Sequence, residues 1–137
     1  MAIKGMKELQ RKLSSLSKEG AKEFADITKI NALEIQANAK RDAPIDTGDL
    51  RQSIVAIEET EYNWSVGSNL KYAPYMEFGT GKSVDIPEGF ESLASQYKGK
   101  TDRQINIPPR PYLIPNFLRQ KSQYIKDLSN AIKRLVK

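Results

Sequence analysis

The sequence of 137 residues contains no cysteine and no histidine. Without cysteine, the chain has no disulfide bonds, no thiol nucleophile and no thiolate metal site. Without histidine, Ser-His-Asp triads and most catalytic zinc sites are excluded as well. Any chemistry that remains would have to use carboxylates, lysine, tyrosine or serine, and a magnesium or calcium ion held by carboxylates stays open.

Long apolar runs are also missing. No stretch approaches the roughly 20 apolar residues that are needed to span a bilayer, and no apolar segment follows the basic start of residues 1–7, so we expect no secretory signal. Hydrophobic residues make up 39% and charged residues 28%, which is typical of a soluble globular protein. We predict a single domain over residues 1–137 that is made in the cytoplasm and has no membrane partner.

The net charge of +5 is distributed unevenly along the chain. Residues 1–42 carry nine Lys/Arg and six Asp/Glu, residues 43–109 carry six and ten, and residues 110–137 carry seven and one. The middle of the chain is therefore acidic and the C-terminal segment is strongly basic. A basic segment of this kind is either an ordinary solvated helix face or a surface that meets an acidic partner or DNA phosphates.

Residues 4–42 are predicted to form one long amphipathic helix that ends before Pro44, because the residue before a proline disfavours helical geometry. A glycine at position 20 leaves open a bend, or two helices in place of one. The apolar stripe recurs at spacings of three and four along most of this segment. Its members are Leu9, Leu13, Leu16, Gly20, Phe24, Ile27, Ile30, Leu33 and Ala37.

A junction follows in which Asp46 or Thr47 can cap a short helical turn. Residues 53–67 are predicted to form a β-hairpin, since β-branched residues precede a polar turn and a returning strand around Trp64. Pro74 suits the first turn of a short helix, and Gly79 suits its end.

Residues 81–107 lose all periodicity and are predicted to be a flexible loop insertion. The proline-rich segment after it should be extended, with a short edge strand over residues 112–114. Pro115 then opens a C-terminal helix over residues 115–136. The apolar stripe of that helix consists of Leu118, Ile125, Leu128, Ile132 and Leu135. The order of elements predicts an α+β fold, with a long N-terminal helix packed on a small antiparallel sheet and a C-terminal helix.

Several motifs suggest chemistry that their context does not support. Asp46-Thr47-Gly48 matches the aspartic-protease triplet but follows a helix instead of a buried strand, so we interpret it as a capping turn. Residues 79–83, Gly-Thr-Gly-Lys-Ser, resemble the end of a phosphate-binding loop, but Met76 stands where the first glycine is required. The glutamates at 58, 59 and 61 are interpreted as solvated side chains rather than a metal site.

Three further stretches are more specific when they are taken together. They are residues 40–54 (KRDAPIDTGDLRQSI), residues 72–80 (YAPYMEFGT) and residues 109–113 (PRPYL). In order and spacing this chain resembles the tail-component family of long-tailed double-stranded DNA phages, whose members are called tail-completion, head–tail joining or minor tail proteins. The residues that carry the resemblance are Pro44, Asp46, Thr47, Gly48, Leu50, Tyr72, Tyr75, Glu77, Phe78, Gly79, Thr80, Arg110, Pro111 and Tyr112.

The resemblance implies a long helix against a curved antiparallel sheet. It implies a structural virion protein of the phage neck that completes the tail and joins it to the head, as a subunit of a ring, commonly hexameric, around the DNA channel. The implied partners are other copies of the chain, the tail terminator or tail tube protein, and the head connector. It implies no catalytic residues, no enzymatic activity, no cofactor and no metal, and DNA that passes through the lumen without specific binding.

Two groups of residues are candidates for contacts in such an assembly. Tyr72, Tyr75, Met76 and Phe78 either form an exposed aromatic patch or belong to the core. Lys126, Lys133 and Arg134 of the basic C-terminal helix are candidates for facing an acidic neighbouring ring rather than the DNA lumen.

Two other functions stay open. One is a small basic nucleic-acid-binding module, which the charge alone supports. The other is a carboxylate-dependent hydrolase, which the Asp46 triplet alone supports.

Overall fold

The computed structural model describes residues 6–45, 48–80, 84, 86–94 and 108–136. These residues form a long helix α1 (Met6–Asp42), a short helix α2 (Asp49–Ser53), a hairpin of strands β1 (Val55–Thr60) and β2 (Asn63–Gly67), two short helices α3 (Ala73–Phe78) and α4 (Glu91–Ala94), and a C-terminal helix α5 (Ile114–Leu135). The α+β class that the order of elements predicted is confirmed. No helix among the described residues is long and apolar enough to cross a membrane.

Helix α1 is continuous through Gly20, so neither a bend nor a second helix is needed there. A rise of 1.5 Å per residue gives α1 a length of about 55 Å and α5 a length of about 33 Å. The two helices run antiparallel, and the end of α5 lies beside Gly20: a Cβ added at Gly20 would meet Leu135 Cδ1 at 3.3 Å. The glycine therefore permits a close approach of the two helices.

Part of the predicted stripe of α1 does not face the interior. Gly20 is buried and Phe24 and Ile27 are half-buried, but Ile30 is 56% exposed and Leu33 is 43% exposed. The buried positions of this half of the helix are small or polar instead, namely Thr28, Asn31, Ala32 and Ala39. The prediction that residues 30, 33 and 37 continue the buried face is therefore wrong.

Polar side chains cross between α1 and α5 at these buried positions. Thr28 Oγ1 lies 2.8 Å from Tyr124 Oη, and Asn31 Nδ2 donates to Asp127 Oδ2 at 3.1 Å. Gln120 Nε2 in turn donates to Asn31 Oδ1. Each buried polar atom here finds a partner, which is the condition for placing polar groups in a helix interface.

The two strands pair in an antiparallel register with Ala56 opposite Val66, and the register shifts between Glu58 and Thr60. Both strands lie against α1, and Gln36 Oε1 accepts the backbone N–H of Ala56 at 2.9 Å. The predicted hairpin began at residue 53, but Ser53 closes α2 instead, with its hydroxyl on the carbonyl of Leu50.

The core consists of two small clusters. The first joins α1, α2, α3 and the start of α5 through Ala39, Ala43, Leu50, Ile54, Ala73 and Tyr112. The second joins Phe78, Ala94 and Ile114, and Val84, Ile86 and Phe90 pack against it.

The second cluster differs from the prediction of a flexible loop over residues 81–107. Residues 86–94 include the helical turn α4, and Ala94 has no exposed surface. Apolar side chains spaced along this segment are enough to fix it on the core, although they show no helix or strand period. The remaining residues of the predicted loop, apart from residue 84, lie outside the described residues.

Candidate functional site

The three stretches that carry the family resemblance meet in the first core cluster. Leu50 comes from the first stretch, Ala73 from the second and Tyr112 from the third, and all three are nearly inaccessible to solvent. Arg51 ties the first stretch together, because its Nε donates to the carbonyl of Lys40 at 2.7 Å at the end of α1. These stretches therefore build the fold at the point where α1, α3 and α5 converge.

The glycines of these stretches lie where the backbone turns with positive φ. Gly48 has φ of 83° and precedes α2, and Gly79 has φ of 81° and ends α3. Positive φ values are strained for residues with a Cβ, which explains glycine at both positions. Asp46 and Thr47, the predicted capping residues, lie outside the described residues. Of the loop that resembles a phosphate site, Gly79 follows a helix rather than a strand, and residues 81–83 lie outside the described residues.

Glu77 is the polar centre of this region and is only 6% exposed. One carboxylate oxygen accepts the backbone N–H groups of Tyr112 and Leu113 at 2.8 and 3.0 Å, and the other accepts that of Ile114 at 2.8 Å. The first turn of a helix leaves N–H groups without helical partners, and a negative charge there is favourable. Glu77 thus holds the start of α5 against α3.

This arrangement replaces the edge strand that was predicted at residues 112–114, and that prediction is wrong. The backbone turns at Tyr112 and Leu113, and α5 begins at Ile114. The N–H groups that a strand would have used go to a side chain instead, although Arg110 N–H still donates to the carbonyl of Met76 at 2.8 Å. Burial raises the pKa of the Tyr112 hydroxyl to about 12, and the negative charge of Glu77 contributes to the same effect.

The predicted aromatic patch divides into two pairs. Phe78 is buried and Met76 packs against the core, whereas Tyr72 and Tyr75 are 43% and 42% exposed. Met76 and Phe78 therefore belong to the core, whereas Tyr72 and Tyr75 remain available for an exposed patch.

The basic candidates all lie on the exposed surface of α5. Arg134 pairs with Glu23 of α1, whereas Lys126 and Lys133 project without a described ion pair. The charge that α5 offers to a partner is therefore carried by these two lysines together with Lys121, which is also exposed, and Arg134 contributes to the contact between the helices. In the part of the chain that the structure describes, no group of three or more acidic side chains is arranged to hold a metal ion.

An open apolar groove with a volume of about 800 Å³ lies between the helices and the hairpin. Its walls come from the middle of α1, from β2 and its preceding turn, from residues 90–93 and from α5. Large apolar side chains at its rim are partly in solvent: Tyr62 is 50% exposed, Phe117 is 42% exposed and Ile125 is 54% exposed. We refer to this feature as the groove. An open apolar surface of this kind marks a site of contact with another molecule.

The sequence did not indicate the groove or the role of Glu77. Tyr62 precedes the returning strand, and Ile125 was assigned to a helix stripe, so their proximity depends on the packing of α5 beside the hairpin. Glu77 was recognised only as a motif residue. An acidic residue between apolar Met76 and Phe78 was the one available signal that a carboxylate would be buried.

Residues 7–79 match the model of one protein family, described as "Bacteriophage HK97-gp10, putative tail-component". The match covers α1, α2, the hairpin and α3, and it includes the first two of the three stretches. Neither a curated protein nor a solved structure matches the chain significantly.

Proposed function

This chain belongs to the HK97-gp10-like family of bacteriophage tail components, and we propose that it acts at the neck of the phage, where it completes the tail and joins it to the head connector. In this proposal several copies, commonly six, form a ring around the channel through which DNA passes. The ring contacts the tail terminator or tail tube protein on one side and the head connector on the other. The protein has a structural role in the virion and no enzymatic one.

The observation that supports this proposal is the amount of apolar surface that the described residues leave uncovered. The groove is open, and large side chains on α1 and α5, such as Leu13 at 58% and Ile132 at 52%, are exposed. Soluble monomers rarely leave extensive apolar surfaces uncovered, and such surfaces mark protein contacts. Contacts between different surfaces of identical subunits close into rings when the rotation between subunits is right.

Electron microscopy of tails provides the test. Tails purified from a phage that lacks this gene product are mixed with the purified protein and imaged. A ring of added density at the head-proximal end, with a symmetry that can be counted, is the expected result. If tails that lack the protein join heads as well as complete tails do, and no density is added, the neck proposal is wrong.

A nucleic-acid-binding module is the second candidate, and the exposed lysines of α5 are the observation that favours it. The three exposed lysines of α5, at positions 121, 126 and 133, are a small footprint, because DNA-binding proteins that rely on phosphate contacts commonly neutralise many phosphates. Retention on immobilised DNA at increasing salt separates the two functions. The neck proposal predicts elution at low salt, whereas a binding module would show a steep dependence of affinity on salt concentration.

A further inference from the structure

The N-terminal part of α1 extends beyond the end of α5, the helix that packs along it. The last residue of α5, Leu135, lies beside Gly20, so residues 6–19 continue past the end of α5 for about 20 Å. We call residues 6–19 the arm. Every residue of the arm is exposed except Leu16, which is half-buried.

The arm has an apolar stripe that the described part of the molecule leaves exposed, apart from the half-buried Leu16. Met6, Leu9, Leu13 and Leu16 follow one another at spacings of three, four and three residues, so they lie on one face of the helix. The same spacing continues to Gly20, which faces α5. Isolated helices shorter than roughly 12–15 residues are marginal in water, and most helices gain their stability from a packed apolar face. The arm is continuous with the rest of α1, but its apolar face packs on no other described element, so a partner on that face would stabilise it.

The arm cannot reach the groove of its own chain. The wall that α1 contributes to the groove lies at residues 28–35 of the same continuous helix. Leu13 and Ile35 are separated by about 33 Å along the helix axis.

We propose that the arm of one copy lies in the groove of the next copy, so that each subunit of the ring both inserts an arm and receives one. The inference rests on the proposed ring and specifies the contact that builds it. An amphipathic helix that lays apolar anchors into an apolar groove is a recurrent mode of protein recognition. The contact joins two different surfaces, so it propagates from subunit to subunit and can close into a ring.

Charge favours this contact over a pairing of two arms. The arm carries four Lys/Arg and two Glu. Beside the groove, Glu58 and Glu61 of the hairpin lie next to Tyr62 and Trp64, which line the groove, whereas Lys121 lies in the groove itself. An arm in the groove can therefore place its net positive charge beside the hairpin glutamates at the rim, whereas two paired arms would bring like charges together. Paired arms would also form a two-fold contact that ends at a dimer.

Cysteine crosslinking tests the contact, because the natural chain has no cysteine. The double variant Leu13→Cys/Ile125→Cys has one thiol on the arm and one at the groove, both at exposed positions that folding does not depend on. The variant is assembled on tails that lack the wild-type protein and is treated with a short bismaleimide. The expected result is a ladder of dimers, trimers and larger multimers on a denaturing gel, since every chain carries both partners of the contact.

Ser15→Cys/Ile125→Cys is the matched control. Ser15 lies two residues from Leu13 and therefore on the opposite face of the helix, and it is also exposed. We expect at least a tenfold lower yield of multimers from this variant. Equal ladders from both variants would contradict the proposal. Crosslinking that stops at dimers would indicate that two arms pair with each other. Crosslinking to a tail protein of different mass would indicate that this protein occupies the groove or binds the arm. Either result would overturn the inference.

The same samples separate this inference from the proposed function. A ring that is visible on the tails but gives no multimer ladder sinks the contact between arm and groove and leaves the neck role intact. A failure of the unmodified protein to add density to tails would contradict the neck role itself.

The variant Leu9→Ser/Leu13→Ser provides an independent test. We expect its melting temperature to match that of the wild type, because both side chains are exposed. We also expect this variant to form no ring on tails. A normal ring from this variant would also contradict the proposal.

Discussion

The carboxylate of Glu77 lies 2.8 Å from the backbone nitrogen of Ile114, the residue at which the C-terminal helix begins. Its two oxygens together accept three consecutive N–H groups, at residues 112, 113 and 114. One side chain thereby joins α3, which the family match includes, to α5, which lies beyond the matched residues. This carboxylate therefore helps to fix the start of α5, which forms one wall of the groove, beside α3.

Replacing this carboxylate with an amide is expected to destabilise the fold. In Glu77→Gln a single acceptor oxygen remains, and the NH₂ group faces backbone donors, so at least one buried N–H loses its partner. We expect a decrease of about 2 kcal/mol in the free energy of unfolding, measured by urea denaturation. Glu88→Gln is the control, because Glu88 is exposed. Equal stability of the two variants would show that the three hydrogen bonds contribute little.

The polar contact between Asn31 and Gln120 gives a second prediction. Asn31→Ala leaves the buried amide of Gln120 without its acceptor, and we expect a loss of about 2 kcal/mol. The double variant Asn31→Ala/Gln120→Ala removes both partners, and it should lose less stability than the sum of the losses of Asn31→Ala and Gln120→Ala measured alone. A double-mutant cycle measured by urea unfolding should give a coupling of about 1 kcal/mol or more. Additive losses would mean that the two amides do not stabilise each other.

The sequence was sufficient to predict α1, α3, α5 and the existence of the hairpin, but not α4 or the way the elements pack. Spacings of three and four correctly located α1, yet the buried face of its second half is lined by Thr28 and Asn31, which an apolar pattern does not select. These two positions are buried because partners on α5, nearly a hundred residues away in the chain, satisfy them. Such partners cannot be identified from local periodicity.

The same reason explains the edge strand that was predicted and not found. Prolines at 111 and 115 indicated extended backbone, but Glu77 supplies acceptors that allow α5 to begin at Ile114. The arm shows the opposite case. Its predicted stripe lies on one face of the helix, but Leu9 and Leu13 are exposed and no other described residue packs over them.

Asp42 gives a prediction about acid stability. Hydrogen bonds from Arg41 and then Asn116 lower the pKa of Asp42 from 3.8 to about 2. A carboxyl group whose pKa is lower in the folded state stabilises the fold above its unfolded pKa and loses that effect as the pH falls through the folded pKa. Asp42→Asn should therefore reduce the loss of stability between about pH 4 and pH 2. The measurement is the urea midpoint against pH for both proteins.

Part of the decrease in the pKa of Asp42 comes from its neighbour in sequence, and this part contributes less to the stability of the fold. Arg41 is the neighbour of Asp42 in sequence and can pair with it in the unfolded chain, whereas Asn116 reaches Asp42 only in the folded protein. We therefore expect Asn116→Ala to reproduce part of the change in acid stability. Identical pH profiles for the wild type and Asp42→Asn would contradict the prediction.

Gly20→Ala is expected to stabilise the protein. An alanine in a helix interior is favoured over glycine by about 1 kcal/mol. The added Cβ would lie 3.3 Å from Leu135 Cδ1, which is a tight contact, but Leu135 is in the last turn of α5 and its side chain can move. We expect a net gain of about 0.5 kcal/mol, measured as a rise in melting temperature. A fall in melting temperature would show that neither Leu135 nor the end of α5 can move to make room for the added Cβ.

The lysines of α5 give a prediction about assembly. We expect Lys126→Gln/Lys133→Gln to reduce the joining of tails to heads, because the exposed positive charge is proposed to meet an acidic neighbouring ring rather than DNA. The measurement is the fraction of tails joined to heads in vitro, with DNA ejection scored in the particles that form. Lys22→Gln/Lys29→Gln is the control, since it removes the same charge from exposed positions on α1.

The role of Arg134 can be separated from that of the two lysines. Because Arg134 pairs with Glu23, Arg134→Gln is expected to affect the contact between α1 and α5 more than the joining of tails to heads. An exposed ion pair contributes at most about 1 kcal/mol, so this variant should still fold and assemble. Particles of the double lysine variant that have a normal neck but fail to pass DNA would reverse the assignment, and would place these lysines at the channel.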